Sequence, residues 1–193
     1  MKQALKFALR GFFLLLALPS GLVSGFGRFR AGFSYCAQAC SLVPGIPGDY
    51  LRTAFYRLTL RSCSPETRIS FGTFFAHPDA EVEEGVYIGS YCVLGRTRIG
   101  AHTQIASHVQ ILSGARQHDR DDQGNIQGAE VHAFTEVAIG ADCWIGAGAI
   151  VMAHVGARTT VGAGAIVTKS LPANAVAVGN PAKVIRVNEQ TPA

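Results

Sequence analysis

The sequence predicts an all-β solenoid, a parallel β-helix, preceded by a helical N-terminal segment. Three observations carry this. Ten aliphatic residues recur at near-constant six-residue steps: Ile88, Leu94, Ile99, Ile105, Ile111, Ile139, Ile145, Val151, Val161 and Val167. Six of them are followed by Gly (Gly89, Gly95, Gly100, Gly140, Gly146, Gly162), and the residue two places before is usually small or β-branched, as at Val86, Cys92, Thr103, Val109, Cys143, Ala149 and Ala165. Ahead of the repeat the composition changes: residues 1–68 carry nine Lys or Arg against two acids, a net charge of +7, while the remainder is −3.

A short fixed period is the signature of a solenoid. Three six-residue strands close one triangular coil of about eighteen residues, so the aliphatic positions point to the prism axis and stack on the next coil at roughly 4.8 Å. Gly after each aliphatic residue suits a corner that needs positive φ or a close backbone approach. A chain of 193 residues holds one β-helix of about six such coils and one appendage.

The period breaks in three places, and breaks are where loops leave the regular surface. The step between Leu94 and Ile99 is five residues, and that between Val151 and Val161 is ten, through His154, Gly156 and Arg158. The large break lies between Ile111 and Ile139. Its middle, residues 114–130, reads GARQHDRDDQGNIQGAE, has no aliphatic period and is read as a protruding loop. His118 sits there among Arg116, Asp119, Arg120, Asp121 and Asp122. A loop His beside carboxylates suits a general base, since a carboxylate orients the ring and raises its basicity. The alternative is a solvated charged loop, and the solenoid context favours the base.

The stretch from residue 139 to 186, with its segments CWIGAGAIV, VGAGAIVTK and GNPAKVIR, resembles the hexapeptide-repeat acyltransferases of the galactoside, maltose, xenobiotic and colanic-acid types. ILSG followed by QHD is similar to the catalytic-histidine segment of the polysaccharide-modifying members, and the resemblance covers residues 69–187. Crossover physics alone favours right-handed connections. The family implies a left-handed parallel β-helix. It also implies transfer of an acyl group, most often acetyl, from coenzyme A to an acceptor hydroxyl, with acyl-CoA as co-substrate and no permanently bound cofactor. His118 would be the catalytic base, with Asp119 orienting it and Asp122 as the alternative; the Pro that often follows the second Asp in the colanic-acid type is absent here. Carried over position by position, Ala147, Ala163, Thr168, Lys169, Lys183 and Arg186 would line the coenzyme A groove between subunits of a homotrimer. Small Ala residues admit the pantetheine arm, and the cations suit its phosphates. Corner geometry and a solvated surface are the competing explanations. Trp144, the single Trp, is read as outward-facing packing.

Carbonic anhydrases of the gamma type share this fold and bind zinc through three His, which require well-placed ligands and an open fourth position. Of His77, His102, His108, His118, His132 and His154, no pair shows the required five-residue spacing, and His102 and His108, six apart, fall on adjacent faces. No metal is expected.

Residues 1–68 form the second unit, and residues 69–193 the acyltransferase-type β-helix and its tail. The N-terminal apolar run GFFLLLALPSGLV and the helically spaced Tyr50, Leu51, Ala54, Phe55 and Leu58, beside Arg52, Arg57 and Arg61, admit several readings. A cleaved signal peptide lacks a convincing cleavage site. A spanning helix is opposed by Arg10, Pro19 and three Gly. Interfacial or re-entrant helices on an anionic leaflet fit best, against a soluble cap on the open solenoid end. Five Cys, an odd number without CxxC, suit a reducing compartment, with Cys92 and Cys143 as core filler and Cys36 and Cys40 as acylation or metal candidates lacking a motif. The expectation is therefore an acyl-CoA-dependent O-acetyltransferase at the cytoplasmic face of the inner membrane, acting on a sugar hydroxyl of a surface or exported polysaccharide. Its partners would be acyl-CoA, a free or lipid-linked saccharide and further copies of the chain, not nucleic acid. A small free acceptor and an inactive trimeric scaffold are the alternatives.

Overall fold

In the computed structural model, which describes residues 2–114, 118, 120–128 and 134–188, three helices precede a triangular parallel solenoid. The helices are α1 (Lys2–Val23), α2 (Arg30–Ser41) and α3 (Gly45–Thr59). The first coil comprises β1 (Ser62–Cys63), β2 (Arg68–Ile69) and β3 (Phe74–Phe75); the second β4 (Glu81–Val82), β5 (Tyr87–Ile88) and β6 (Val93–Leu94). The third holds β7 (Thr97–Ile99), β8 (Gln104–Ile105) and β9 (Gln110–Ile111), and the fourth β10 (Val137–Ile139), β11 (Trp144–Ile145) and β12 (Ile150–Val151). Val155 forms an isolated bridge before β13 (Thr160–Val161) and β14 (Ile166–Val167); Leu171 does the same before β15 (Ala175–Val178), on which β16 (Lys183–Val187) folds back antiparallel.

The strands of successive coils pair parallel and in register, so each face stacks one inward column. These columns run Val82, Ile99, Ile139, Val155, Leu171 on the first face, Ile69, Ile88, Ile105, Ile145, Val161, Ala177 on the second, and Phe75, Leu94, Ile111, Val151, Val167 on the third. All ten residues of the sequence repeat are buried. The solenoid begins at Ser62, not residue 69: Cys63, Ile69 and Phe75 keep the six-residue step but are followed by Ser64, Ser70 and Ala76, so the Gly signature is missing there. Val155 fills the gap between Val151 and Val161, so no face is skipped. Every irregular step therefore falls on the edge between the third and first faces; the other two edges keep six residues throughout.

The glycines after the aliphatic positions serve close approach rather than positive φ. A Cβ on Gly140 would lie 2.4 Å from the Ala157 nitrogen, and one on Gly146 2.4 Å from the Ala163 nitrogen, in the next coil. The left-handed backbone comes three residues after the aliphatic position, at Tyr91, His108, Asp142, Gly148, Arg158 and Gly164.

Helices α2 and α3 close the first coil. Phe33, Phe55 and Tyr56 pack there, the Tyr56 ring lies 4.9 Å from that of Phe75, and its hydroxyl accepts a hydrogen bond from the Phe75 N–H at 3.1 Å. Arg52, one of the three cations beside the helical apolar row, is fully buried. Its guanidinium donates to the carbonyls of Ile69 (2.8 Å), Val43 (2.7 Å), Cys40 (3.2 Å) and Ser41 (3.3 Å) and to Asp49 (2.7 Å). It thereby satisfies the last turn of α2 and ties it to the solenoid. Burial lowers the Arg52 pKa, opposed by the Asp49 charge. Cys36 and Cys40 are both buried in the same cap, which removes them from the accessible thiols, and burial pushes the Cys40 thiol up to about 11.

Helix α1 is continuous through Pro19 and spans a length apolar enough to cross a membrane, Gln3–Val23. It carries large apolar residues on both sides. Arg10, Phe13, Leu14, Ala17, Ser20 and Gly21 face the protein, whereas Leu5, Phe7, Phe12, Leu15, Leu16 and Leu22 face outward, Phe7 being 80% and Leu15 68% exposed. Arg10 pairs with Glu66 of the first coil at 2.5 Å, which lays the middle of α1 beside the solenoid.

Two stability outcomes follow. Gly140→Ala should cost about 1–3 kcal/mol through overpacking, whereas Gly164→Ala, with open space but φ +68, should cost only about 1–2 kcal/mol; chemical denaturation of both variants checks the order. Arg52→Met, which strips a donor from four carbonyls, should cost about 3–5 kcal/mol, read as a lowered unfolding midpoint.

Candidate functional site

The excursion leaves β9 on the third face and returns to β10 on the first, and the coil after it stacks as though nothing had been inserted: Val137 pairs with Thr97 and Ile139 with Ile99. Its base is pinned. The Leu112 N–H donates to Val151 O at 2.9 Å, the Thr135 N–H to Ser113 O at 3.1 Å, the Arg96 N–H to Ser113 Oγ at 2.9 Å and Arg96 Nη1 to Phe134 O at 2.9 Å. Glu136 joins a charge ladder with Arg98 (3.8 Å) and Arg61 (3.6 Å), and the Phe134 ring lies 4.8 Å from His77. Burial, then the Arg30 charge, lowers the His77 pKa.

Beyond this base the loop is a small hairpin, bridged antiparallel at Arg120 and Ile126. Asp121 organises its tip, accepting from the N–H groups of Gln123 (2.9 Å) and Asn125 (2.8 Å) and from Asn125 Nδ2 (3.1 Å). The Asn125 side chain, then its backbone N–H, holds the Asp121 carboxyl below its usual range. In sequence this turn shows only as a D-x-x-G spacing, too common a pattern to single out.

His118 is exposed, and its Nδ1 lies 3.0 Å from the Gln127 carbonyl. A carbonyl only accepts, so Nδ1 carries the proton and Nε2 of the neutral ring keeps its lone pair. Among the described residues the orienting group is therefore a backbone carbonyl, not a side-chain carboxylate. Asp119, the expected partner, lies outside the described residues, as does His132; Asp122 is exposed in the tip turn.

The six residues expected along a coenzyme A groove do not share one place on the chain. Ala147 and Ala163 occupy the edge between the second and third faces, one above the other, with the Gly164 N–H donating to Ala147 O at 2.8 Å. The neighbouring Gly148 and Gly164 present open backbone there, a Cβ on either meeting nothing within 4 Å. Thr168 and Lys169 lie on the edge between the third and first faces, which is also the edge that carries the His118 loop. Lys183 and Arg186 lie on β16, exposed, beside the last turn of the second face. Trp144 is 59% exposed on that face, between Gln104 and Thr160. His102 and His108 take corner positions on different edges, φ 60 and 61, and His108 stacks on Tyr91 at 5.3 Å. Among the described residues no group of three His, Cys, Asp or Glu is placed to hold a metal ion.

No family model matches the chain. It is 39% identical over 100 residues to WcaF of Escherichia coli (strain K12), whose name assigns it provisionally as a colanic acid biosynthesis acetyltransferase; the match covers 51% of each chain. The chain spans about half or less of the length of the curated relatives it matches. A maltose O-acetyltransferase from Clostridium difficile 630 superposes with a TM-score of 0.51 at 21% identity, covering 84% of this chain and 90% of that one. A point mutant of AntD, an N-acyltransferase from Bacillus cereus in complex with dTDP-4-amino-4,6-dideoxyglucose and coenzyme A, superposes with a TM-score of 0.52 at 19% identity, covering 64% and 71%. The solenoid has the fold of the left-handed β-helix acyltransferases, and the chain resembles that family in sequence as well.

Proposed function

We propose that the chain is an acyl-CoA-dependent O-acyltransferase, in the first instance an acetyltransferase, acting on a sugar hydroxyl in the assembly of a surface or exported polysaccharide. The observation that carries it is His118 on the one variable edge, with Nδ1 held by the Gln127 carbonyl and Nε2 free to take a proton. Similarity to a colanic-acid-type acetyltransferase and to a maltose O-acetyltransferase fold supports the sugar hydroxyl as acceptor.

In the reaction, Nε2 removes the acceptor hydroxyl proton as the oxygen attacks the thioester carbonyl. The tetrahedral intermediate then collapses, the C–S bond breaks and the coenzyme A thiolate takes the proton back from Nε2. No covalent acyl-enzyme is required when both substrates share one cleft. The Nδ1 bond keeps the basic nitrogen on the far side of the ring throughout.

Such a cleft needs two copies of the chain. The His118 loop and Lys169 stand on one edge of the prism, the bare Ala147 and Ala163 corners on another, and the third face separates them. A cyclic homotrimer brings the loop edge of one copy to the bare edge of the next and so completes three equivalent sites. Membrane association is part of the same reading. A helix that turns Leu5, Phe7, Phe12, Leu15, Leu16 and Leu22 outward fits a hydrocarbon boundary, and Arg10, bound to Glu66 at mid-helix, keeps α1 in the interface plane rather than across the bilayer.

Acetyl-CoA binding to the detergent-solubilised chain tests the donor. His118→Ala should leave binding unchanged while lowering turnover about 100-fold or more, and Lys169→Ala with Lys183→Ala should weaken binding about tenfold or more by removing two phosphate partners. A folded protein that does not bind acetyl-CoA would instead be a scaffold. The composite site is tested by mixing two inactive variants, His118→Ala and Ala163→Trp. Reassembled hetero-oligomers should recover about a quarter of the sites, whereas a site built within one chain would recover none.

A further inference from the structure

A cleft opens at the first-coil end of the solenoid, the end opposite Lys183 and Arg186. It has a volume of about 380 Å³ and lies between α1, α3 and the first coil, lined by Lys6, Arg10, Asp49, Arg57, Glu66 and Arg68 among others. Its two carboxylates are already engaged: Glu66 pairs with Arg10 at 2.5 Å, and Asp49 binds Arg68 at 2.8 Å and the buried Arg52 at 2.7 Å. Among the described residues Lys6 and Arg57 form no ion pair, and both are exposed at the cleft, which therefore holds surplus positive charge. One side of the mouth is apolar. Ile46, 67% exposed, lines the cleft, and Phe7 lines the adjoining hollow that shares Lys6, Arg10 and Glu66.

Cations at the foot of an outward apolar helix face match one ligand chemistry, a phosphate ester carrying hydrocarbon chains. We propose that the cleft binds the phosphate headgroup of an anionic membrane lipid whose acyl chains run along the outward face of α1. Lys6 and Arg57 bind the phosphate, while Arg10 and Arg68, neutralised by Glu66 and Asp49, shape the cleft. This rests on the membrane association proposed above and adds to it a built, stereochemically defined headgroup site, where a diffuse basic surface would show no preference for position.

The test is vesicle flotation of the full chain with phosphatidylcholine vesicles, with and without phosphatidylglycerol. The double variant Lys6→Gln, Arg57→Gln is compared with Arg98→Gln, Arg158→Gln, which removes the same charge from the solenoid away from the cleft. The cleft variant should bind phosphatidylglycerol vesicles roughly 30-fold more weakly than the parent, with phosphatidylcholine binding unchanged and the solenoid variant within about twofold of the parent. Equal losses in the two variants, or no dependence on phosphatidylglycerol, would overturn the cleft site while leaving membrane association standing. Absence of flotation with either vesicle would overturn both. A thermal-shift arm with glycerol 3-phosphate separates the sources: stabilisation by the soluble ester equal to that by short-chain phosphatidylglycerol would assign the cleft to soluble phosphates and overturn the lipid.

Discussion

The structure depends on the in-register parallel stacking of one coil on the next. Each two-residue strand makes its hydrogen bonds only to the coils above and below, and its single inward side chain sits on the column beneath. A residue added on a regular edge would rotate every later inward position out of the core. Two edges accordingly keep six residues from the first coil to the last, while the third absorbs all variation, from the four-residue step between Val151 and Val155 to the excursion between Ile111 and Ile139. A solenoid can carry a loop only where its register is already slack. That is where His118 stands.

Stacking leaves two open ends, and the chain closes them differently. At the C-terminal end β16 turns back antiparallel on β15 and shields the last rung of the second face. At the other, α2 and α3 cover the first coil with aromatic rings, and Arg52 donates to the buried carbonyls of Ile69 and Val43 and adds a second donor to those of Cys40 and Ser41, which also accept from the Val43 and Gly72 N–H groups. Of the helices in this segment, α2 and α3 cover the first coil, and α1 carries the longest row of outward large apolar residues. The cationic cleft lies where these two roles meet.

The columns are legible in the sequence because their period is their geometry. The six-residue recurrence of Ile, Leu and Val, and the small residues two places before, report inward positions directly, and the same arithmetic separates His102 from His108. The first coil is hard to see in sequence because Ser64, Ser70 and Ala76 stand where Gly follows six of the later aliphatic positions. Arg52 stands in sequence as one of three cations beside a helical apolar row, which gives no sign that carbonyls of the 40–43 stretch and of Ile69 surround it. His118 is legible from loop composition, but the Gln127 carbonyl that fixes its tautomer is nine residues away and leaves no side-chain signal.

By itself, then, the sequence determined the solenoid, its period, the place of the excursion and the candidate base, because each is written in local spacing. The tertiary structure alone decided which edge each residue occupies, and therefore that the His118 loop and the Ala147 and Ala163 corners stand apart. It also decided that α1 is apolar outward and that a basic cleft opens at its foot. Those facts depend on rotation about the prism axis and on which helix face meets the first coil, and neither is a property of neighbouring residues.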